Sequence, residues 1–248
     1  MKELKILYLY PDILELYGDF GNIQVLKYRL EQRGFKAIVE PYSIGDTPPD
    51  FKSYDLVFAG GGADQEQGIL AQDLIKYKEN IKEAVQSGVF FLLICGAYQL
   101  FGKYYKGVEG NIIPGLEVFD YYTEAISDRK KRCIGNTVIE AELNGQKTKI
   151  IGFENHGGQT FGIDNPFGDV LYGYGNKFED TKEGFFLPNV IATYLHGPLL
   201  SKNPVLSDYI IKYCLDRKYE DDITLEPLND EFENCVREQL LNRFLENS

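Results

Sequence analysis

The rhythm of apolar and polar positions divides this chain into three stretches. In the first hundred residues, short unbroken apolar runs alternate with longer segments of helical period. KILYLY (5–10) is a run of the kind that forms a strand buried on both faces. NIQVLKYRLEQRG (22–34) repeats its apolar positions at Ile23, Leu26 and Leu30 and stops at a glycine, which predicts a helix. KAIVEPY (36–42) and DLVFA (55–59) predict the second and third strands, the latter running into Gly60-Gly61-Gly62. Ile69, Leu70, Leu74, Ile75, Ile81, Ala84 and Val85 predict helix across 65–87. VFFLLI (89–94) predicts a fourth strand, with Cys95 opening the next helix. This alternation predicts a mostly parallel, flavodoxin-like sheet with helices on both faces.

From Ile112 to about Tyr174 the runs become short, alternating and punctuated by glycine: NTVIEAEL, KIIGFEN, DVLYGY. Leu143-Asn144-Gly145-Gln146 supplies an Asn-Gly turn between two of them, so a hairpin is expected. We read this region as a strand-rich extension of the same sheet. VIATYLHG (190–197) predicts another buried strand, ending at a histidine, and two helices follow at about 204–218 and 230–246. With no repeat and no low-complexity linker, one α/β domain across 1–248 is expected, its C-terminal helices beginning near 204.

Composition narrows the function classes. With 248 residues, 44% of them hydrophobic, the chain is long enough for a sizeable core. No apolar run approaches the roughly 20 residues of a membrane span. The opening MKELKILYLYPD has neither the long apolar region nor the cleavage site of a signal peptide, so a cytoplasmic protein is expected. The net charge of −12 opposes duplex nucleic acid or an anionic membrane as main partner. The basic run Arg129-Lys130-Lys131-Arg132 is a local exception that suits something anionic. Cys95, Cys133, Cys214 and Cys235 show no metal-ligand spacing with one another or with the two histidines, so no metal is expected and the thiols should be free. Cys133, Cys214 and Cys235 read as small structural hydrophobes.

Cys95 reads differently. A nucleophile between a core strand and a helix, followed by Gly96 and Ala97, matches the elbow in which a tight turn lifts the side chain above the sheet. The N–H of Gly96 is then placed to receive an oxyanion, and the helix N-terminus presents partial positive charge to the sulfur. A buried structural thiol is the competing reading. A thiolate nucleophile needs an acid–base partner, and the chain offers only His196, in TYLHGP, and His156, in GFENHGGQT. His196 ranks first as acid–base; His156 reads as substrate-side or structural. Gly61, in the glycine run after the third strand, is the expected second oxyanion donor; a turn that merely needs glycine is the alternative.

Together these residues resemble the class I glutamine amidotransferases, in which a cysteine elbow attacks the side-chain amide of glutamine and a distant histidine assists. GFENHGGQT and YLHGP resemble the cobyric-acid-synthase-like branch. LYGDFGNI (16–23), AGGGADQEQ (59–67), ICGAYQLFGKYY (94–105) and YGYGN (172–176) resemble the GatD-type glutaminase subunits of lipid II isoglutaminyl synthase. The resemblance implies Cys95 and His196 as catalytic residues. It implies an arginine for the glutamine α-carboxylate, Arg132 first and Arg129 as fallback. It implies a heterodimer with a Mur-ligase-like (MurT) subunit that holds ATP and Mg²⁺, this chain needing no cofactor of its own. Many class I members carry Glu two residues after the histidine; here that position is Pro198, and Asp19 is the carboxylate expected in its place. The alternatives are an amidotransferase subunit for a cobyrinic-acid-type acceptor, a related cysteine hydrolase, or a non-catalytic binding protein. The cobyric-acid type fuses an ATP-binding domain ahead of the amidotransferase domain, whereas this sequence opens on the first predicted strand.

Overall fold

The computed structural model describes residues 2–14, 18–62 and 64–246, with the side chains of 64–66 excluded. Its first part follows β1 (Glu3–Leu9), α1 (Phe20–Gln32), β2 (Lys36–Tyr42), β3 (Leu56–Ala59), α2 (Asp64–Leu74), α3 (Lys78–Gln86), β4 (Phe90–Ile94) and α4 (Gly96–Phe101). Short strands β5 (Tyr104–Lys106), β6 (Ile112–Pro114) and β7 (Tyr122–Ala125) precede the long pair β8 (Cys133–Leu143) and β9 (Gln146–His156). Then come β10 (Gly158–Phe161), β11 (Gly168–Tyr172), β12 (Lys182–Glu183), β13 (Phe185–Leu187), β14 (Val190–Thr193), α5 (Pro204–Tyr219) and α6 (Glu231–Leu245). No described helix is long and apolar enough to cross a membrane.

The central sheet runs β13-β14-β4-β3-β1-β2, parallel throughout except for β13. Every residue of β3, β4 and β14 is buried, so both faces are covered, as their unbroken apolar runs require. Parallel register sets Ala59 of β3 beside Leu93, and Thr193 of β14 beside Ile94 of β4. The chain segments leaving β3, β4 and β14 therefore emerge side by side, the place where open α/β sheets bind ligands.

The middle of the chain corrects the expected extension. It forms two further four-stranded sheets, β10-β7-β5-β6 and β12-β11-β8-β9, rather than continuing the first. The edge beside β14 is already closed by antiparallel β13. The β8–β9 hairpin meets the segment that follows β14 at an isolated bridge, Phe153 to His196. The Asn-Gly turn is present, with Asn144 and Gly145 both at positive φ, 51° and 75°. Val138 and Ile151 of the hairpin form a small core with Phe244 of α6. At the other end of α6, Asp230 joins Asp208 of α5 around the buried Arg29 of α1, and Arg33 also binds Asp208. The thiols are free: Cys133 and Cys214 are buried, whereas Cys235 is exposed on α6, contrary to expectation. This helix faces the hairpin through Leu240, Leu241, Phe244 and Leu245, leaving Cys235 on the solvent side.

Candidate active site

Cys95 sits at the junction of β4 and α4 with φ 50° and ψ −99°, a strained conformation for a residue with a side chain. Its N–H donates to the Thr193 carbonyl at 2.8 Å, which ties the elbow to β14. The side chain is 8% exposed. At Gly96, an added Cβ would stand 3.0 Å from the Gly62 nitrogen and 3.3 Å from Gln67 Nε2. Glycine is thus needed for the close approach of the elbow to the loop after β3.

His196 follows β14 by three residues and is fully buried. Paired N–H···O bonds with Phe153 of β9, 2.9 and 3.1 Å, fix its backbone. Its Nδ1 lies 3.0 Å from Asp19 Oδ2 and 3.2 Å from Oδ1. Asp19 is the N-cap residue of α1, but its carboxylate makes no capping bond. It turns instead to His196 and accepts the Gly61 N–H at 2.9 Å. A Cβ at Gly61 would meet His196 Cε1 at 2.7 Å, Asp19 Oδ2 at 3.4 Å and Cys95 Cβ at 3.5 Å. Gly61 therefore occupies the point where the three side chains converge. Burial alone would lower the pKa of His196. The charge of Cys95 and hydrogen bonds to Asp19 and Cys95 outweigh it and raise the pKa to about 10. The arrangement sets a histidine between a thiol and a carboxylate.

One expected role changes. The Gly61 N–H is taken by Asp19, so it is not available to an oxyanion. The N–H beside the elbow belongs to Gly62, one residue later. A glycine run cannot by itself reveal which of its amides is already bonded.

His156 is buried and held by contacts outside the Cys95–His196–Asp19 group. It stacks on Tyr194 with ring centroids 3.6 Å apart and planes 6° apart, and its Nδ1 lies 2.7 Å from the Gly158 carbonyl. Burial holds its pKa down at about 3, so it stays neutral. Tyr194 continues a buried polar chain: Gln67 donates to Gln99 at 2.7 Å, Gln99 to the Tyr194 hydroxyl at 3.2 Å, and that hydroxyl lies 2.6 Å from Thr160 Oγ1. Two buried carboxylates brace the same region. Glu183 accepts the Tyr194 N–H at 2.7 Å and the Thr193 hydroxyl at 2.8 Å, and burial raises its pKa to about 7. Glu154 accepts the Gly175 N–H; burial and then the Glu183 charge raise its pKa well above the usual range. None of Gln67, Gln99, Glu154 and Glu183 was singled out by sequence, because each acquires its setting only from tertiary packing.

Arg132 precedes β8, reaches Asn155 Oδ1 at 3.1 Å, and would lie 2.8 Å from a Cβ at Gly157. It is exposed, and its charge acts on His156 and Cys133. Arg129 lies in the exposed 3₁₀ turn Arg129–Lys131. Of the motif segments 16–23 and 59–67, Leu16, Tyr17 and Ala63 lie outside the described residues.

The chain is similar to several known proteins. The model of the CobB/CobQ-like glutamine amidotransferase domain matches residues 5–204. The GatD subunit of the glutamine-hydrolysing lipid II isoglutaminyl synthase of Staphylococcus aureus is 40% identical over 246 residues, 98% of this chain and 97% of that protein. The same subunit from Streptococcus pneumoniae is 40% identical over 239 residues, 96% of this chain and 90% of that protein. The solved PurLQS of Thermotoga maritima shares the fold, with a TM-score of 0.55 at 16% identity over 89% of this chain and 100% of that one.

Proposed function

The chain belongs to the CobB/CobQ-like glutamine amidotransferase family, and on that premise we propose that it is the glutaminase subunit of a lipid II isoglutaminyl synthase. It is a glutamine-hydrolysing amidotransferase. The observation that carries the assignment of roles is the convergence of Cys95, His196 and Asp19 on Gly61, in a chain similar over nearly its whole length to two such subunits.

In this reading the Cys95 thiolate attacks Cδ of glutamine, and the tetrahedral oxyanion accepts hydrogen bonds from the N–H groups of Gly96 and Gly62. Each such donor contributes roughly 3–4 kcal/mol of transition-state stabilisation. The His196 imidazolium gives its proton to the departing nitrogen, ammonia leaves, and a γ-glutamyl thioester remains. His196, now neutral, takes a proton from water as that water attacks the thioester. Glutamate departs and the thiolate–imidazolium pair is restored. Asp19 holds His196 in the tautomer and orientation that both steps use. Arg132 pairs with the α-carboxylate of the substrate.

Ammonia passes to a Mur-ligase-like, MurT-type subunit. That subunit uses ATP and Mg²⁺ to activate the α-carboxyl of D-glutamate in lipid II, and amidation gives D-isoglutamine. The test is glutamate release by the purified chain, alone and with the Mur-ligase-like subunit of the same organism, with Cys95→Ser as control. Release that rises with the partner and vanishes in the variant is expected. A folded chain that releases no glutamate in either condition overturns the reading.

A further inference from the structure

The charged groups lining most surface clefts of the described residues are neutralised from within. Beside the Asn144-Gly145 turn, Lys212 pairs with Asp216 and Asp222, and Asp208 with Arg29 and Arg33. Along β8 and β11, Lys182 pairs with Asp169 and Lys147 with Glu140. The cleft between the 3₁₀ turn Leu200–Lys202 and α6 differs. Its lining includes Lys202, Phe232, Glu233, Val236, Arg237 and Leu240. Lys202 is partly buried, burial lowers its pKa, and no described carboxylate lies within ion-pair distance of it. Arg237 donates one hydrogen bond to the Lys149 carbonyl. The charged side chains lining the cleft are thus two basic and one acidic, Lys202 and Arg237 against Glu233, in a chain with 38 acidic residues and 26 basic ones.

The apolar part of the cleft is equally open. Phe232, Val236 and Leu240 follow one another at i, i+4 and i+8 on one face of α6, a stripe of about 12 Å at helical rise. Phe232 is 77% exposed and Val236 39%. Leu240 ends this stripe against the core of Val138, Ile151 and Phe244, so the exposed part of it is Phe232 and Val236. α6 also lies beyond residue 204, where the match to the amidotransferase domain ends, but within the length shared with the two subunit relatives. The α6 wall of the cleft therefore lies outside the matched domain, while Lys202 lies within it.

Its position ties it to the chemistry. Lys202 Nζ would stand 2.8 Å from a Cβ at Gly197, the residue after His196, which holds φ +111°. Lys202 therefore lies against the segment that carries the histidine.

Resting on the reading above that the chain works as a glutaminase subunit, we propose that this cleft docks the synthetase subunit through a segment that sets a carboxylate on Lys202 and apolar side chains on Phe232 and Val236. An acidic–apolar segment answers both halves of the cleft at once. A helix laid in such a groove is a recurring mode of recognition. Removing one member of a desolvated, hydrogen-bonded charge pair weakens binding by a factor of about 30 or more.

The test uses the full chain and the Mur-ligase-like synthetase subunit of the same organism, with Kd measured by titration calorimetry. Phe232→Asp and Lys202→Glu are each expected to raise Kd at least about tenfold. Phe232→Asp should leave glutamine hydrolysis by the free chain within about twofold, because the side chain is exposed and remote from Cys95. If the unsubstituted chain binds the synthetase and both variants bind it within about twofold of that, the docking assignment is overturned while the functional reading stands. If the unsubstituted chain does not bind the synthetase, both fall. Should Phe232→Asp instead convert a dimer of this chain into monomers in sedimentation, with synthetase binding intact, the cleft belongs to a second copy and the proposal is wrong.

Discussion

Asp19→Asn preserves volume and removes one charge. The carboxylate is fully buried and serves two donors: Gly61 N–H at 2.9 Å and His196 Nδ1 at 3.0 and 3.2 Å. An amide has one accepting oxygen and an NH₂ that only donates. Even with that oxygen in the place of Oδ2, the NH₂ faces Nδ1 from the position of Oδ1. A hydrogen bond to a charged group contributes about 1.5–3 kcal/mol, which corresponds to a loss of roughly 10- to 150-fold in kcat/KM. Burial excludes the solvent that would otherwise screen the change.

A pH signature should accompany the loss. The pKa of His196 is lowered by burial and raised to about 10 by Cys95 and then Asp19. Removing the Asp19 contribution lowers it, so the alkaline limb of kcat, which reports loss of the proton given to ammonia, should move to lower pH. Stability carries the same sign. A folded pKa of about 10 against an ordinary 6.5 gives a contribution fully present below pH 6.5 and lost as pH rises through about 10. The variant should show a smaller alkaline loss of melting temperature. The assay is glutamate release across about pH 6 to about pH 10, with melting curves on the same samples. A variant that keeps more than a third of the activity and an unmoved alkaline limb would refute the orienting role of Asp19.

Gly61→Ala should lower kcat at least about 100-fold with little change in melting, because its new methyl would lie 2.7 Å from His196 Cε1; retention of a tenth of the activity counts against the convergence point. Cys95→Gly and Cys95→Ala should both be inactive, yet the glycine variant should be more stable by about 1 kcal/mol in denaturant titration, since φ 50° strains every residue with a Cβ. Equal stabilities would mean that the elbow stores no strain. Arg132→Ala should raise the KM for glutamine about tenfold or more with kcat nearly unchanged, and Arg129→Ala should do neither. The reverse result would pass the substrate carboxylate to Arg129.

The elements that sequence revealed are those whose signal is local. The apolar runs of β3, β4 and β14 are buried on both faces, and runs of this kind have few other fates. The Asn144-Gly145 turn was legible because only a narrow set of residues accepts positive φ twice in succession. Cys95 followed by Gly96 was legible because the elbow excludes bulk at the next position. What escaped depends on partners distant in the chain. The split into three sheets hinges on β13 closing an edge, and β13 has three residues. The Gly61 amide was misassigned because its acceptor lies 42 positions earlier. Cys235 looked like a core thiol because its helix is apolar at neighbouring positions, yet the face that packs is set by Phe244 and its neighbours.

The four thiols differ enough in setting to be told apart by chemistry alone. Cys133 and Cys214 are buried, and burial raises both pKa values, to about 12 for Cys133. Cys95 is 8% exposed. Cys235 alone meets bulk solvent, one position from Val236 on α6. A maleimide dye at neutral pH should therefore mark Cys235 first, and a glutamine-shaped electrophile Cys95. The natural chain thus carries two orthogonal labels: one reports the chemistry, and the other sits beside the α6 cleft, where a change in fluorescence would read its occupancy without any engineered residue.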